Sequence, residues 1–304
     1  MGAPVGVLRS VAVNIGITKS ERSMGYRQRL WTRIHILGMA AVLIVSLIGL
    51  SACGAAAVPV GESEFVLPTD PPAGGGPMPS ADEVLEAMVA LMESQRDLAV
   101  DAHITYEVLQ DSGQLLSFQT VQYLAVRKPD LLAWTTVRDN ATVDEVWFAD
   151  GVFTMLKHPE NFYGQVNDLP VEIPAAVDNL VDGYGIFVPF SDLISGHARL
   201  IFIEESDSKM YVGEAWIRGQ WTHHLALRGG DFDVELWVSA QGDPVPLRMG
   251  IRWKNEEGHP SFTARFHNWD LAPIFDDTTF STDLPENAER VTMVPIVDDE
   301  GGVG

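Results

Sequence analysis

The chain has 304 residues, of which 20 are basic and 42 acidic, and its formal net charge is −22. From position 53 onward it has 14 basic and 41 acidic residues, a net charge of −27. A surface this acidic repels phosphate backbones, which disfavours nucleic-acid binding. The single cysteine excludes a disulfide framework and a cysteine-rich zinc site.

The first 52 residues have the layout of a secretory signal peptide. A basic stretch begins at Met24, which is the expected initiator, and an uncharged run from Ile36 to Leu50 follows it. This run is shorter than the roughly 18–20 residues that span a bilayer comfortably as a helix. The next residues, Ser51-Ala52-Cys53, complete a resemblance to the bacterial lipobox, in which the cysteine is lipidated and becomes the new N-terminus. We therefore expect export and a lipid anchor on Cys53, since each buried CH₂ contributes about 0.8 kcal/mol to membrane binding.

The segments around the expected domain are rich in small or acidic residues. Residues 53–79 are expected to form the lipidated cysteine and a flexible tether, and residues 295–304 an acidic disordered tail. The folded domain is therefore expected between residues 80 and 294. Because residue 54 is Gly and not the Asp that often retains lipoproteins in the inner membrane, we expect the outer membrane, facing the periplasm, in a Gram-negative host.

One helix is predicted at the start of the domain. Ser80 followed by Glu83 is the pattern of a capping box, in which each residue satisfies a backbone N–H of the other. Apolar residues then recur at helical spacing, namely Val84, Leu85, Met88, Leu91 and Met92. The helix is expected to end near Asp97.

From His103 onward the apolar period changes to two, which is typical of strands with one buried face. The alternating runs are Ile104–Val108, Phe232–Val238, Val245–Trp253 and Phe262–Phe266. Short turns between them predict an antiparallel meander, and so many strands favour a closed or half-open barrel. Residues 174–194 break the pattern with two short helical stretches, which predict either an insertion over the concave face or another core helix pair.

Short motifs in a fixed order from Ser80 to Val291 resemble a known family. They are Val126-Arg127-Lys128-Pro129-Asp130, Asp150-Gly151, His158-Pro159-Glu160-Asn161-Phe162-Tyr163, Val188-Pro189-Phe190-Ser191-Asp192-Leu193, Tyr211-Val212-Gly213, Gly219 with His223-His224-Leu225-Ala226, Asp233-Val234-Glu235-Leu236-Trp237-Val238, Pro244-Val245-Pro246-Leu247-Arg248, His259-Pro260 and Asn268-Trp269. In these motifs the chain resembles a family of predicted periplasmic proteins grouped with the outer-membrane lipoprotein carrier superfamily, the LolA/LolB-like fold.

The resemblance implies an α+β, mainly β fold. A curved antiparallel sheet would form a half-open barrel, with an N-terminal helix and a short helical insertion covering its concave face. Relatives with that fold carry acyl chains or lipidated proteins, or sense them. The family has no established catalytic residues, so none is transferred to this chain.

An apolar ligand cavity is expected on the concave face. The tryptophans could stack on sugars, but in alternating strands they favour core or cavity walls. The predicted lining residues are Trp134, Trp147, Phe187, Phe190, Leu193, Trp216, Leu236, Met249, Ile251 and Trp253.

No catalytic or metal site is predicted. Adjacent residues on a strand point to opposite faces, so His223 and His224 cannot easily share one metal, although either could join a carboxylate among residues 231–235. Ser191-Asp192 lacks the Gly-x-Ser-x-Gly turn of serine hydrolases. The histidines are therefore interpreted as structural.

The sequence thus predicts a non-enzymatic, membrane-anchored lipoprotein without a cofactor. It is expected to bind an acyl chain, a lipid or a lipidated protein in an apolar half-barrel cavity, as acceptor, chaperone or sensor. A diffusing shuttle would not be anchored, so Cys53 favours work at the membrane. Two alternatives are an envelope sensor or scaffold that binds a protein partner, and a hydrolase with an unrecognised site.

Overall fold

A computed structural model describes residues 78–194, 197–204 and 206–296. The predicted signal peptide, Cys53 and residues 297–304 of the predicted tail lie outside them. The helices are α1 (Ala81–Ser94), α2 (Ile173–Tyr184) and α3 (Ser191–Ile194), and a π-helical turn covers Leu200–Glu204. The strands are β1 (Asp97–Leu109), β2 (Leu115–Arg127), β3 (Leu131–Arg138), β4 (Val143–Ala149), β5 (Val152–His158), β6 (Phe162–Val166), β7 (Ser208–Ile217), β8 (Gln220–Arg228), β9 (Phe232–Ser239), β10 (Pro246–Trp253), β11 (Ser261–Asp270) and β12 (Glu289–Thr292).

The strands form one curved sheet in the order β12-β6-β5-β4-β3-β2-β1-β11-β10-β9-β8-β7. Neighbouring strands are antiparallel, except that β12 runs parallel to β6. In the described part of the chain β7 and β12 form the two edges, so the sheet is an open half-barrel. The predicted α+β, mainly β fold with a curved antiparallel sheet is confirmed.

Helix α1 begins with the predicted capping box. Ser80 N donates to Glu83 Oε2 over 2.7 Å, and Glu83 N donates to Ser80 Oγ over 3.2 Å. Its buried face joins the core through Ala81, Val84, Leu85, Met88, Val89 and Met92. The helix ends at Ser94, short of the predicted Asp97, because Gln95 is already extended and β1 begins at Asp97.

Strand alternation divides the side chains between a concave face, which meets the helices, and a convex face. On the concave face, Leu98 lies opposite Val126, and Val126 lies opposite Leu132. Such apolar rows, α1, α2 and parts of residues 186–202 form one continuous core. Every described strand and the whole of this core come from residues 81–293. A chain that begins at Gly54 therefore contains a complete hydrophobic core, which is what a domain needs to fold on its own.

Residues 185–194 and 197–204, here called the cover segment, pack between the end of α2 and the concave face. Gly185 caps α2 in the left-handed conformation, with φ 65°, where Gly185 N donates to Val181 O and Ile186 N donates to Leu180 O. Arg199 joins the cover segment to α1, because its Nη1 lies 2.8 Å from Glu86 Oε2 and its Nε lies 3.5 Å from Glu93 Oε1. The helical insertion predicted at residues 174–194 is present, and the irregular region continues to Glu204.

The connection between β11 and β12 crosses the convex face. The Arg127 guanidinium on that face lies 5.3 Å from the ring centre of Phe275 and 5.7 Å from that of Phe280. After β12 the chain returns to α2, where Ile296 N donates to Gly183 O over 2.7 Å. Ile296, which was predicted to lie in the tail, is therefore hydrogen-bonded to α2. Within the described ranges, no helix is long and apolar enough to cross a membrane.

Candidate functional site: the concave face and its polar row

Seven of the ten predicted lining residues come together in the buried core, five of them on strands of the sheet and two in the cover segment. They are Trp134, Phe190, Leu193, Leu236, Met249, Ile251 and Trp253. Each of them is at most 6% exposed. Phe190 of the cover segment contacts Phe266 of the sheet edge to face, with ring centres 4.8 Å apart. The residues predicted to line a cavity therefore form an apolar surface on the sheet, here called the floor, against which side chains of the cover segment pack.

The other three predicted lining residues lie elsewhere. Trp147 is on the convex face, because its neighbours Val146 and Phe148 belong to the concave core. Its assignment to the cavity was wrong, since it followed residue type and ignored strand alternation. Phe187 is half-buried outside the core cluster, and Trp216 packs on Trp221 across the β7–β8 hairpin, with ring centres 5.2 Å apart.

A separate pocket of about 280 Å³ lies at the N-terminus of α1. Glu83, His223 and Ser239 are among its lining residues. Tyr211 Oη lies 3.0 Å from His223 Nδ1, and burial lowers the pKa of His223, so this imidazole is neutral at pH 7. Ligand pockets measure about 300–1,000 Å³, so this one accommodates a small group and not a long acyl chain.

The two adjacent histidines point to opposite faces, as predicted. His223 faces the concave pocket, whereas the His224 ring stacks on Trp237 with ring centres 4.3 Å apart. Among the described residues, no group of three or more His, Cys, Asp or Glu is placed to hold a metal ion.

A row of polar side chains, here called the polar row, crosses the concave face beyond the apolar floor. Gln122, Thr136, Asp144 and Lys157 are successive cross-strand partners on β2 to β5. The first three are 6%, 7% and 5% exposed, and such burial is costly for polar groups unless they are hydrogen-bonded. Gln122 Nε2 donates to Thr136 Oγ1 over 3.4 Å, but Gln122 Oε1 has no partner in the described structure.

Two cations share one carboxylate in this row. Lys157 Nζ donates to Asp144 Oδ1 over 3.0 Å, and Arg138 donates to Asp144 Oδ2. Burial raises the pKa of Asp144, but the hydrogen bond from Arg138 and the charge of Lys157 outweigh it, so the pKa lies below its ordinary value. Asp144 is therefore ionised at pH 7 and is shared by two cations, of which Arg138 also interacts with Glu160. Tyr106 and Phe118 stack nearby, with ring centres 5.8 Å apart.

The polar row was not predicted, although a partial signal exists in the sequence. Gln122 occupies the same face of β2 as Leu124 and Val126, where alternation calls for an apolar residue. Which polar residues it meets depends on strand register, which one sequence does not specify.

Ser191 and Asp192 are both buried in α3, at 4% and 6% exposure. Burial raises the pKa of Asp192 to about 7, and its Oδ1 has no hydrogen-bond partner in the described structure. A carboxyl group buried in this way destabilises the closed cover segment whenever it ionises.

Comparison with known proteins supplies the family. The curated proteins include no match. Similar solved structures include LprF from Mycobacterium bovis, 14% identical with TM-score 0.40, covering 66% of this chain and 97% of that chain. They also include the lipoprotein LppX from Mycobacterium tuberculosis, 13% identical with TM-score 0.32, covering 65% of this chain and 98% of that chain. A LolA superfamily protein from Nitrosomonas europaea is 11% identical with TM-score 0.29, covering 66% of this chain and 98% of that chain. The profile of the DUF2092 family, described as predicted periplasmic protein, matches residues 81–294, and the chain belongs to this family.

Proposed function

We propose that this protein binds a hydrophobic ligand, an acyl chain, lipid or lipidated protein, between the concave face and the cover segment. It acts without catalysis, as an acceptor, chaperone or sensor tethered to its membrane through Cys53. The observation that carries the proposal is the apolar floor, on which five predicted lining residues of the strands meet Phe190 and Leu193 of the cover segment. In the closed state the cover side chains occupy the place of the ligand.

Three features of the cover segment favour its opening. Phe190 has φ 52°, a left-handed conformation that is strained for a bulky side chain. Asp192 is buried with an unpartnered oxygen. Leu200–Glu204 forms a π-helical turn, which is rare in helices and frequent at functional sites. Each feature reduces the stability of the closed state without changing the sheet below.

The polar row suits the other end of an amphiphilic ligand. An acyl chain on the floor would meet Gln122 Oε1, which lacks a partner in the described structure, and the charged groups of Arg138 and Lys157, which share Asp144. A head group that donates a hydrogen bond or carries negative charge therefore fits this end best.

Native mass spectrometry of the chain from Gly54, purified from bacterial cells, tests the proposal. We expect a co-purifying acyl lipid and saturable uptake of a fluorescent fatty acid. Arg199→Ala removes the contacts of Arg199 with Glu86 and Glu93, so uptake should become faster with unchanged amplitude. Arg96→Ala, which removes an exposed arginine just after α1, is the matched control and should leave the rate unchanged.

Absence of both lipid and uptake would contradict the proposal. A stoichiometric protein recovered in a pull-down under the same conditions would favour the envelope sensor or scaffold instead. Turnover of an ester substrate that is lost in Ser191→Ala would favour a hydrolase.

A further inference from the structure

A row of aromatic and cationic side chains, here called the convex row, crosses the outer face of the sheet. His224, Trp237, Arg248, Arg265 and His103 are successive cross-strand partners on β8, β9, β10, β11 and β1. They lie opposite the concave face, because the adjacent residues in each strand belong to the core, namely Leu225, Leu236, Met249, Ala264 and Ala102. The row is therefore remote from the proposed ligand floor.

The first part of the row is rigid. Trp237 is 6% exposed, its ring lies nearly parallel to that of His224 at an interplanar angle of 9°, and the Arg248 guanidinium lies 4.3 Å from its centre. Both neighbours contact the ring from adjacent strands, so the indole fixes the plane of the guanidinium. Arg248 Nε is buried without a hydrogen-bond partner in the described structure.

The second part collects positive charge. Arg248 and Arg265 lie directly opposite each other, an arrangement that is unfavourable for like charges. Arg218, from the β7–β8 turn, places Nη1 3.0 Å from His267 Nε2, and the His267 ring centre lies 4.6 Å from that of His103. The sheet thus brings three arginines and two histidines onto one patch.

The patch differs from other basic residues of this acidic chain, many of which lie close to a carboxylate. Seven basic residues of the described structure lie within 4 Å of a carboxylate oxygen, namely Arg127, Arg138, Lys157, Arg199, Lys209, Arg228 and Lys254. Among the described residues, no carboxylate oxygen comes that close to Arg218, Arg248 or Arg265. Two acids border the row: Asp101 accepts from Asn268 at 2.6 Å and lies opposite His267, and Glu235 lies 3.2 Å from His224 at the other end of the row.

We propose that Arg248 and Arg265, flanked by the His103–His267 pair, bind a phosphate group. Guanidinium groups recognise phosphate through paired N–H donors, and one tetrahedral anion has enough acceptor oxygens to bridge two of them. The anion also removes the repulsion between the opposed arginines. The rest of the domain is strongly acidic, so binding depends on this geometry and not on a general attraction for anions.

His267 provides an internal reporter of occupancy. Burial and the charges of Arg218, His103 and Arg265 lower its pKa and outweigh the opposing effect of Asp101. A phosphate bound beside it counteracts these positive charges and stabilises the imidazolium. The pKa of His267 therefore rises when the site is filled.

The test uses the chain from Gly54 to Gly304 and inorganic phosphate as the probe, at low salt because screening weakens exposed charge contacts. Nuclear magnetic resonance follows the imidazole of His267, identified with His267→Gln, and the amides of β10 and β11. We expect saturable binding and a raised His267 pKa. Arg265→Gln should weaken binding at least about tenfold, the usual effect of losing a charge-assisted hydrogen bond.

Arg252→Gln is the matched control. It removes the same charge from the same face of β10, and Arg252 is exposed and donates only to the His259 carbonyl in the described structure. Arg248→Lys keeps the charge of the row but loses the planar stack on Trp237, so it should also weaken binding. Amide spectra that match the wild type outside the patch establish that these variants are folded.

A comparison of free phosphate with lipid vesicles distinguishes a soluble phosphate ligand from a lipid head group. Binding to phosphatidylglycerol vesicles, but not to free phosphate or phosphatidylcholine vesicles, supports the site and assigns a lipid head group. Binding of free phosphate supports the site and assigns a soluble ligand. No binding of either, or equal losses in Arg265→Gln and Arg252→Gln, overturns the proposal, and neither result depends on the concave face.

Discussion

Replacing Asp144 with Asn perturbs the centre of the polar row. The carboxylate accepts hydrogen bonds from Lys157 Nζ over 3.0 and 3.1 Å and a further one from Arg138. Asn keeps the shape but leaves two cations facing each other. Breaking a buried ion pair costs about 3–5 kcal/mol. Because the side chains of Arg138 and Lys157 are 23% and 34% exposed, solvent screens part of the repulsion, and we expect a loss of about 2–3 kcal/mol at pH 7.

Urea unfolding of the chain from Gly54 measures this loss of stability. Repeating the measurement at lower pH provides a second test. The pKa of Asp144 is lower in the folded than in the unfolded protein. Its stabilising contribution is therefore present above about pH 4 and disappears as the pH falls through the folded value. The difference between wild type and variant should shrink accordingly. Lys157→Met is the control, because it retains the Arg138–Asp144 pair, and it should cost less than about 1 kcal/mol. An Asp144→Asn variant as stable as the wild type, or a difference independent of pH, would refute this account.

Two further predictions concern the cover segment and the anchor. Burial raises the pKa of Asp192 to about 7, so folding loses stability as the pH rises from about 4 to 7, because the unfolded carboxyl ionises first. Asp192→Asn should therefore stabilise the protein by about 4 kcal/mol at pH 8 and leave it nearly unchanged near pH 4, as measured by urea unfolding. Cys53→Ser should move the exported protein from the membrane to the soluble fraction on cell fractionation, and continued membrane association would contradict lipidation at Cys53.

Elements with local signals were predictable from the sequence. The capping pattern at Ser80 and the apolar stripe that follows it predict α1 within a few residues of its true end. Strands with one buried face follow from alternation alone, as in β9 and β10. In contrast, β12 is exposed along its whole length and shows no alternation, so its parallel pairing with β6 had no signal.

Functional surfaces were less predictable, because they depend on register. Trp147 and Trp134 are the same residue type on neighbouring strands, but they face opposite sides of the sheet. The opposition of Arg248 and Arg265 joins residues of two strands, and no feature of either strand alone indicates it. The sequence identifies the apolar side chains by residue type. The pairing of the strands decides on which face of the sheet each side chain lies and which neighbours it contacts.

The closed cover segment also sets a lower limit on the ligand. Its large buried side chains are Ile186, Val188, Phe190, Leu193, Ile194, Ile201 and Phe202. Exposing these seven costs about 10–21 kcal/mol, of which the strain at Phe190 returns about 1–3 kcal/mol. An acyl chain gains about 0.8 kcal/mol for each CH₂ that it buries, so roughly 10–25 methylenes are needed to offset the opening. If the proposed ligand is an acyl chain, we therefore expect short chains to leave the segment closed and only long chains to replace it. We expect such a chain to displace the cover stepwise, because each methylene that enters takes over apolar contacts that a cover side chain gives up.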